Sequence, residues 1–122
     1  DGKILGYLEG PVRPERYLKD ISFTEEIEDY GHLDGGFISL TSLSISKDAQ
    51  GMGVGRKLLE AMKEIAIAEE RHGINLTCHD YLTAYYEKHA FVNEGLSKST
   101  YAGATWFDMV WENPSLKLQK NQ

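Results

Sequence analysis

The chain has 122 residues, enough for one domain with its own apolar core, and its single cysteine, Cys78, rules out an internal disulfide and makes a reducing cytoplasm the expected setting. It carries 19 Asp and Glu against 13 Lys and Arg, a formal net charge of -6. The basic residues form no stripe, which argues against a nucleic-acid partner and favours a cationic small substrate. No apolar run approaches the roughly 18 residues of a membrane-spanning helix, and no signal-type segment opens the chain, so no membrane partner is expected.

The chain starts at Asp1, and Gly2-Lys3 supplies a turn into a strand over Ile4 to Leu8, weakened by Gly6. Pro11 and Pro14 break that strand. Glu15 to Asp34 is polar and gathers Glu25, Glu26, Glu28, Asp29 and Asp34. It is longer than a common strand connection and is either a partly helical excursion or a loop. Its carboxylates form a solvated acidic surface or draw an ammonium group in, with Phe23 and Tyr30 offering aromatic faces to a cation. Gly35-Gly36 turns into the next strand. There Phe37, Ile38, Leu40, Leu43 and Ile45 interleave with Ser39, Thr41, Ser42 and Ser44, and the shift in alternation between Leu40 and Leu43 predicts a bulge.

Gln50-Gly51-Met52-Gly53-Val54-Gly55-Arg56 then joins this strand to an amphipathic helix. Three glycines remove the Cβ atoms that would hold a ligand off the backbone, and they permit the positive φ values at which consecutive N–H groups converge. The helix N-terminus adds free N–H groups and the positive end of its dipole, so the junction suits a pyrophosphate. Arg56 supplies a charge for a phosphate group. A dinucleotide fingerprint, G-x-G-x-x-G, and a Walker loop, G-x-x-x-x-G-K-[ST], both fail on spacing.

Val54, Leu58, Met62, Ile65 and Ala66 recur at helical spacing, with Leu59 widening the stripe. The pattern predicts a helix from Val54 to His72, stopped by Gly73, with Arg71 and His72 at the negative end of its dipole. Ile74 to Cys78 follows as a strand, and a strand-helix-strand unit implies a parallel pair with a right-handed crossover. A short helix is expected within Leu82 to Phe91, a late antiparallel strand from Trp106 to Trp111 closes the sheet, and Pro114 to Gln122 is a polar tail. The four histidines, His32, His72, His79 and His89, are scattered and indicate no metal site.

Gln50, Gly53 and Gly55 fill the pattern [RQ]-x-x-G-x-[GA], which resembles the coenzyme A pyrophosphate loop of the GNAT acetyltransferases. Leu82-Thr83-Ala84-Tyr85-Tyr86-Glu87-Lys88-His89-Ala90-Phe91 resembles that family's A-x-x-F/Y-Y-x-x-x-G-F segment, with Ala90 where the family has glycine. Within the family the likeness is greatest to the serotonin (arylalkylamine) N-acetyltransferase branch. It rests on Cys78-His79-Asp80, Tyr86 and the ending Ala104 to Trp111. Two histidines of that branch are replaced here by Ser39 and Thr41.

The resemblance implies an α/β fold: a mixed, twisted sheet with helices on both faces and a splayed central parallel pair, as one domain over residues 1–113. The family's first strand and first two helices are expected to be missing from this chain. Acetyl-CoA would lie in the gap between the strands ending near Ile45 and Cys78. Leu43, Ser44 and Ile45 would pair with pantetheine, and Gln50, Gly51, Met52, Gly53, Val54, Gly55 and Arg56 would hold the pyrophosphate. Tyr86 would lie over the cofactor and act as general acid to the leaving thiolate, with Tyr85 turned to the core. Ser39 and Thr41 would relay protons. The acceptor is expected to be a small-molecule amine near Phe23, Glu26, Tyr30 and His32. Its base is left open among His32, His79 and a carboxylate of Glu26, Glu28 or Asp29. A non-catalytic acyl-CoA sensor, or transfer to a protein amine, are the alternatives. Homodimers are common in the family, and no interface is legible in the sequence.

Overall fold

The computed structural model describes residues 6–17, 29, 31–32, 34–45, 50–99 and 101–116. Two extended runs lie antiparallel at the start, and each is broken in the middle. The first consists of β1 (Gly6–Glu9) and β2 (Val12–Arg13), and the second of β3 (Phe37–Ser39) and β4 (Ser42–Ile45). β1 pairs with β4, Gly6 opposite Ile45, and β2 pairs with β3, Val12 opposite Ile38. Pro11 therefore interrupts the strand without ending it. At the interruption Gly10 is needed for space, since a Cβ there would sit 2.8 Å from Ile38 Cγ2 and 3.0 Å from the Ser39 carbonyl oxygen.

The expected bulge falls at Leu40-Thr41, and it moves the chain from one sheet to the other. β3 belongs to a five-stranded sheet in the order β2-β3-β5-β7-β6, and β4 to a two-stranded sheet with β1. β5 (Gly73–Cys78) runs parallel to β3, with Phe37 opposite Gly73 and Ser39 opposite Asn75. The Leu40 N–H donates to the Asn75 carbonyl at 2.8 Å. Beyond that bond β4 follows β1, while β5 continues along β7 (Phe107–Glu112) as far as Cys78 opposite Phe107. The parallel pair thus splays from Asn75 onward. β7 does not close the sheet at its edge as expected. It lies between β5 and β6 (Val92–Leu96), and the edge belongs to β6, whose exposed, glycine-interrupted residues gave no strand pattern.

α1 (Val54–Ala68) and α2 (Asp80–Lys88) cover one face of the larger sheet. Leu59, Met62 and Ala66 of α1 join Ile74, Leu76, Cys78, Met109 and Trp111 of the strands and Tyr86 of α2 in one buried cluster. Lys63 lies 5.5 Å from the ring centres of both Phe91 and Trp111 and donates to the His89 carbonyl, tying α1 to the end of α2. The expected apolar stripe is rotated. Its centre is Gly55, Leu59, Met62 and Ala66, whereas Ile65 is half exposed.

α1 ends earlier than the glycine reading expects, α2 begins at Asp80 ahead of the expected Leu82, and both helices close by the same device. Glu70, at φ 58°, closes α1: its N–H donates to Ile67, and that of Arg71 to Ala66, the double bond of a Schellman turn. Ala90, at φ 71°, does the same for α2, with bonds to Glu87 and from Phe91 to Tyr86. Arg71 and His72 therefore lie outside the helix. Gly73 is a strand residue whose added Cβ would run into the Trp111 carbonyl. Arg71 is buried, and its guanidinium donates to the carbonyls of Gly31 at 2.9 Å and Gly35 at 3.1 Å. Asn113 is also buried and donates to the Arg71 carbonyl at 2.9 Å, so the ordered structure extends through Asn113.

Candidate active site

The glycine loop is laid directly against the start of α1. Gly51 at φ 82° and Gly53 at φ 77° are in the left-handed region, which residues with a Cβ adopt at a cost. Gly53 is the N-cap of α1, with no side chain accepting from the first turn, so the helix N–H groups remain directed at the loop. Gly55, in the first turn of α1, is buried. Arg56 is exposed and lies over Gly53, its guanidinium 3.7 Å from Glu60. An exposed pair at that distance is weak and leaves the cation available to an anion.

A cavity of about 670 Å³ opens beside this loop, lined by Leu43, Gln50, Gly51, Gly53, Val54, Gly55 and Arg56 on one side and by Leu82, Tyr85, Tyr86, Lys88 and His89 of α2 on the other. The two sequence motifs, about thirty residues apart in the chain, meet here because the splay after Asn75 leaves no strand between β4 and β5 among the described residues. Lys88 and His89 were not singled out from the sequence. They add basic side chains to Arg56, and only the placing of the end of α2 and the start of α1 on one cavity reveals it. Burial and then the charges of Lys63, Lys88 and Arg56 hold the His89 imidazole below its ordinary pKa.

Tyr86 is buried in the main cluster and Tyr85 is half-buried, the reverse of the expected orientations, yet both line the cavity. Their rings meet edge to face at 5.2 Å. Burial, with smaller effects from Cys78 and Tyr85, pushes the Tyr86 hydroxyl up to about 12. It is therefore a proton donor throughout the neutral range. Burial also pushes the Cys78 thiol up to about 11, which makes it a poor nucleophile.

Of the expected cofactor residues, Met52 and Ser44 are exposed and do not line the cavity. Ile45 does not line it either; β4 is paired on its β1 side, and its other edge has no partner strand among the described residues. Ser39 is buried on the sheet face opposite the helices, beside Asn75, and Thr41 is exposed at the bulge, its hydroxyl 3.4 Å from the Glu9 carbonyl. Neither lines the cavity with Tyr86. Phe23, Glu26, Glu28 and Tyr30 lie outside the described residues. His32 is exposed in a turn, and the Asp29 carboxylate accepts the Val12 N–H at 2.9 Å. His79 is stacked between Tyr81 at 5.4 Å and Trp106 at 4.3 Å. No helix among the described residues is long and apolar enough to cross a membrane.

Comparison with solved structures finds the same fold repeatedly. Nourseothricin acetyltransferase superposes with a TM-score of 0.63 at 17% identity over 93% of this chain and 60% of that one. Chaetomium thermophilum Naa20, in complex with a bisubstrate analogue, gives 0.63 at 18% identity over 91% of this chain and 60% of its own. Arabidopsis thaliana NAA60, in complex with acetyl-CoA, gives 0.62 at 14% identity over 92% and 69%. The chain thus spans about 60% of the length of the first two. No curated protein sequence matches it. The family model described as the acetyltransferase (GNAT) domain matches residues 21–113. With the parallel pair splayed beside a glycine loop and that match over most of its length, the chain belongs to the GNAT acetyltransferases.

Proposed function

We propose that residues 1–113 form an N-acetyltransferase domain that moves an acetyl group from acetyl-CoA directly to a primary amine of a small molecule. The observation that carries this reading is the cavity in which the glycine loop, the N-terminus of α1 and Tyr86 meet. Acetyl-CoA supplies the acetyl group as a thioester. The loop N–H groups, with Arg56, Lys88 and His89, suit its phosphates, and the free edge of β4 at Leu43, Ser44 and Ile45 suits its amide-bearing arm. Once the ammonium form of the acceptor has given a proton to solvent, the amine nitrogen forms the new C–N bond as the C–S bond breaks; the nitrogen then sheds a second proton, and Tyr86 regains from solvent the one it gives up. The Tyr86 hydroxyl gives its proton to the departing sulfur, a role for which a group held near 12 stays protonated. Buried Cys78 does not fit a covalent acyl carrier, which supports direct transfer. The likeness to the serotonin N-acetyltransferase branch belongs to this reading through Cys78-His79-Asp80 and Tyr86, with Ser39 and Thr41 as the point of departure.

Calorimetry with acetyl-CoA tests the proposal. Micromolar binding is expected for the native chain, and its loss in Gly53→Glu, where a carboxylate would meet the phosphates at a position that also disfavours any Cβ. Absence of binding by the folded native protein would overturn the reading.

A further inference from the structure

Among the described residues that line the acetyl-donor cavity, every ionisable side chain other than the tyrosines is basic: Arg56 from the start of α1, and Lys88 and His89 from the end of α2. In a chain with 19 acidic against 13 basic residues, that segregation marks this part of the cavity for an anion. His89 differs in kind from the other two. Arginine and lysine carry fixed charge at neutral pH, whereas a histidine changes charge there.

The surroundings of His89 push its proton in opposite directions. Its ring meets that of Tyr85 edge to face at 4.8 Å, and its carbonyl accepts from the Lys63 ammonium, which anchors this end of α2. The charged groups that act on the imidazole are Lys63, Arg56 and Glu60 from α1 and Lys88 from α2. Burial is the first cause that holds it below its ordinary range; Lys63, Lys88 and Arg56 follow, and Glu60 opposes them. His89 is also the C-cap of α2, where the negative end of the helix dipole favours an imidazolium. No acidic side chain among the described residues lines the cavity to decide the balance. A phosphate would decide it. It offsets the field of the three cations and accepts a hydrogen bond from the N–H that protonation creates.

We infer that His89 takes a proton from solvent as a phosphate of acetyl-CoA enters between it, Lys88 and Arg56, so that binding of the donor is coupled to proton uptake. The inference rests on the acetyltransferase reading for the identity of the anion. One nitrogen of the neutral ring already bears hydrogen and the other takes the incoming proton, so the loaded protein presents a two-donor imidazolium to the phosphate. The direction with pH follows from linkage. While His89 is already charged in the empty site, affinity does not depend on its titration. At higher pH the proton must be drawn from solvent on binding, and affinity falls until the imidazole of the loaded site also stays neutral. Coenzyme A bears the same phosphates, so the product too is held less tightly as pH rises.

The test is calorimetry of acetyl-CoA binding in HEPES and in Tris, whose different ionisation enthalpies turn proton exchange into a difference in observed heat. At about pH 7.5 a phosphate monoester, with its second pKa about 6, is already ionised, so uptake there reports on the protein. Native protein is expected to take up at least about 0.3 of a proton per acetyl-CoA, and His89→Gln close to none. From about pH 6.5 to about pH 8.5 the affinity of the native protein should fall at least about threefold more than that of the variant. The imidazole signal of His89 in proton NMR, assigned by its loss in His89→Gln, should titrate at higher pH in the loaded protein than in the empty one. If that variant fails to fold, the signal is assigned by its Overhauser contact with Tyr85 and carries the test in the native protein. Coenzyme A and its 3'-dephospho form identify the partner: uptake retained by the dephospho form assigns it to the pyrophosphate, and uptake lost assigns it to the 3'-phosphate. Binding without proton uptake, uptake undiminished in His89→Gln, or a His89 titration unmoved by the donor would overturn the inference and leave the acetyltransferase reading standing. Absence of acetyl-CoA binding by the folded protein would overturn both.

Discussion

Tyr85 and Tyr86 are adjacent, chemically identical and both beside the cavity, so what separates them is burial. Tyr86 packs on Phe91 edge to face at 5.7 Å within the main cluster, and its hydroxyl is pushed up to about 12. A general acid must be protonated to act, so raising its pKa moves the loss of activity to higher pH. Turnover by the native enzyme should therefore show no fall attributable to this group between about pH 8 and about pH 10, where an unperturbed tyrosine would begin to ionise. Tyr86→Phe should lower kcat at least about tenfold with acetyl-CoA affinity nearly unchanged. Steady-state kinetics over that pH range with parallel calorimetry checks both, and undiminished kcat would remove Tyr86 from the chemistry. The family resemblance pointed to Tyr86, but the sequence could not say which ring is buried, because a nine-residue helix lying across strands from distant parts of the chain shows both faces to protein.

At the scale of elements, the helix ends were the least legible features. Gly73 looked like a stop signal, yet both described helices close on residues with a Cβ, Glu70 and Ala90, each forced to positive φ. Those turns are set by where the chain must go next: Arg71 into its buried bonds with Gly31 and Gly35, and Phe91 into the core beneath Lys63. Left-handed geometry costs a residue with a Cβ about 1 kcal/mol relative to glycine. Ala90 is exposed, so its methyl group contributes little packing to offset that cost. Ala90→Gly should therefore stabilise the protein by about 1 kcal/mol, seen as a rise of several degrees in Tm in a thermal melt. A Tm that stays level or falls would show that the turn is not strained. The helix and strand interiors, by contrast, were legible wherever apolar periodicity was strong. The stripe on α1 was misplaced only in phase, because Leu58 and Leu59 satisfy the pattern equally and contact with the sheet selects Leu59.

For the molecule as a whole, the decisive feature is the transfer of one strand between two sheets. Because β3 pairs with β5 and β4 does not, the smaller and larger sheets part beyond Asn75 and expose backbone edges that no protein strand covers among the described residues. An extended ligand arm seated there would join the two sheets, so acetyl-CoA should stabilise the fold as well as occupy a pocket. At a hundred times its dissociation constant the expected gain is about 2.7 kcal/mol. Thermal melts with and without acetyl-CoA measure it, and amide hydrogen exchange should slow along β4 and along β5 beyond Asn75. Stabilisation with exchange unchanged on both strands would place the ligand elsewhere.

The sequence by itself determined the class of fold, the bulge between Leu40 and Leu43, the glycine loop ahead of a helix and the segment bearing Tyr86. Each of these is written in local periodicity, or in residue types that local backbone geometry demands. Tertiary structure decided the rest: which tyrosine is buried, the recruitment of Lys88 and His89 to the loop, and the insertion of β7 between β5 and β6. Those depend on contacts between residues about thirty apart in the chain, and strand order and register, which set them, leave no mark on the spacing of residues within any single segment.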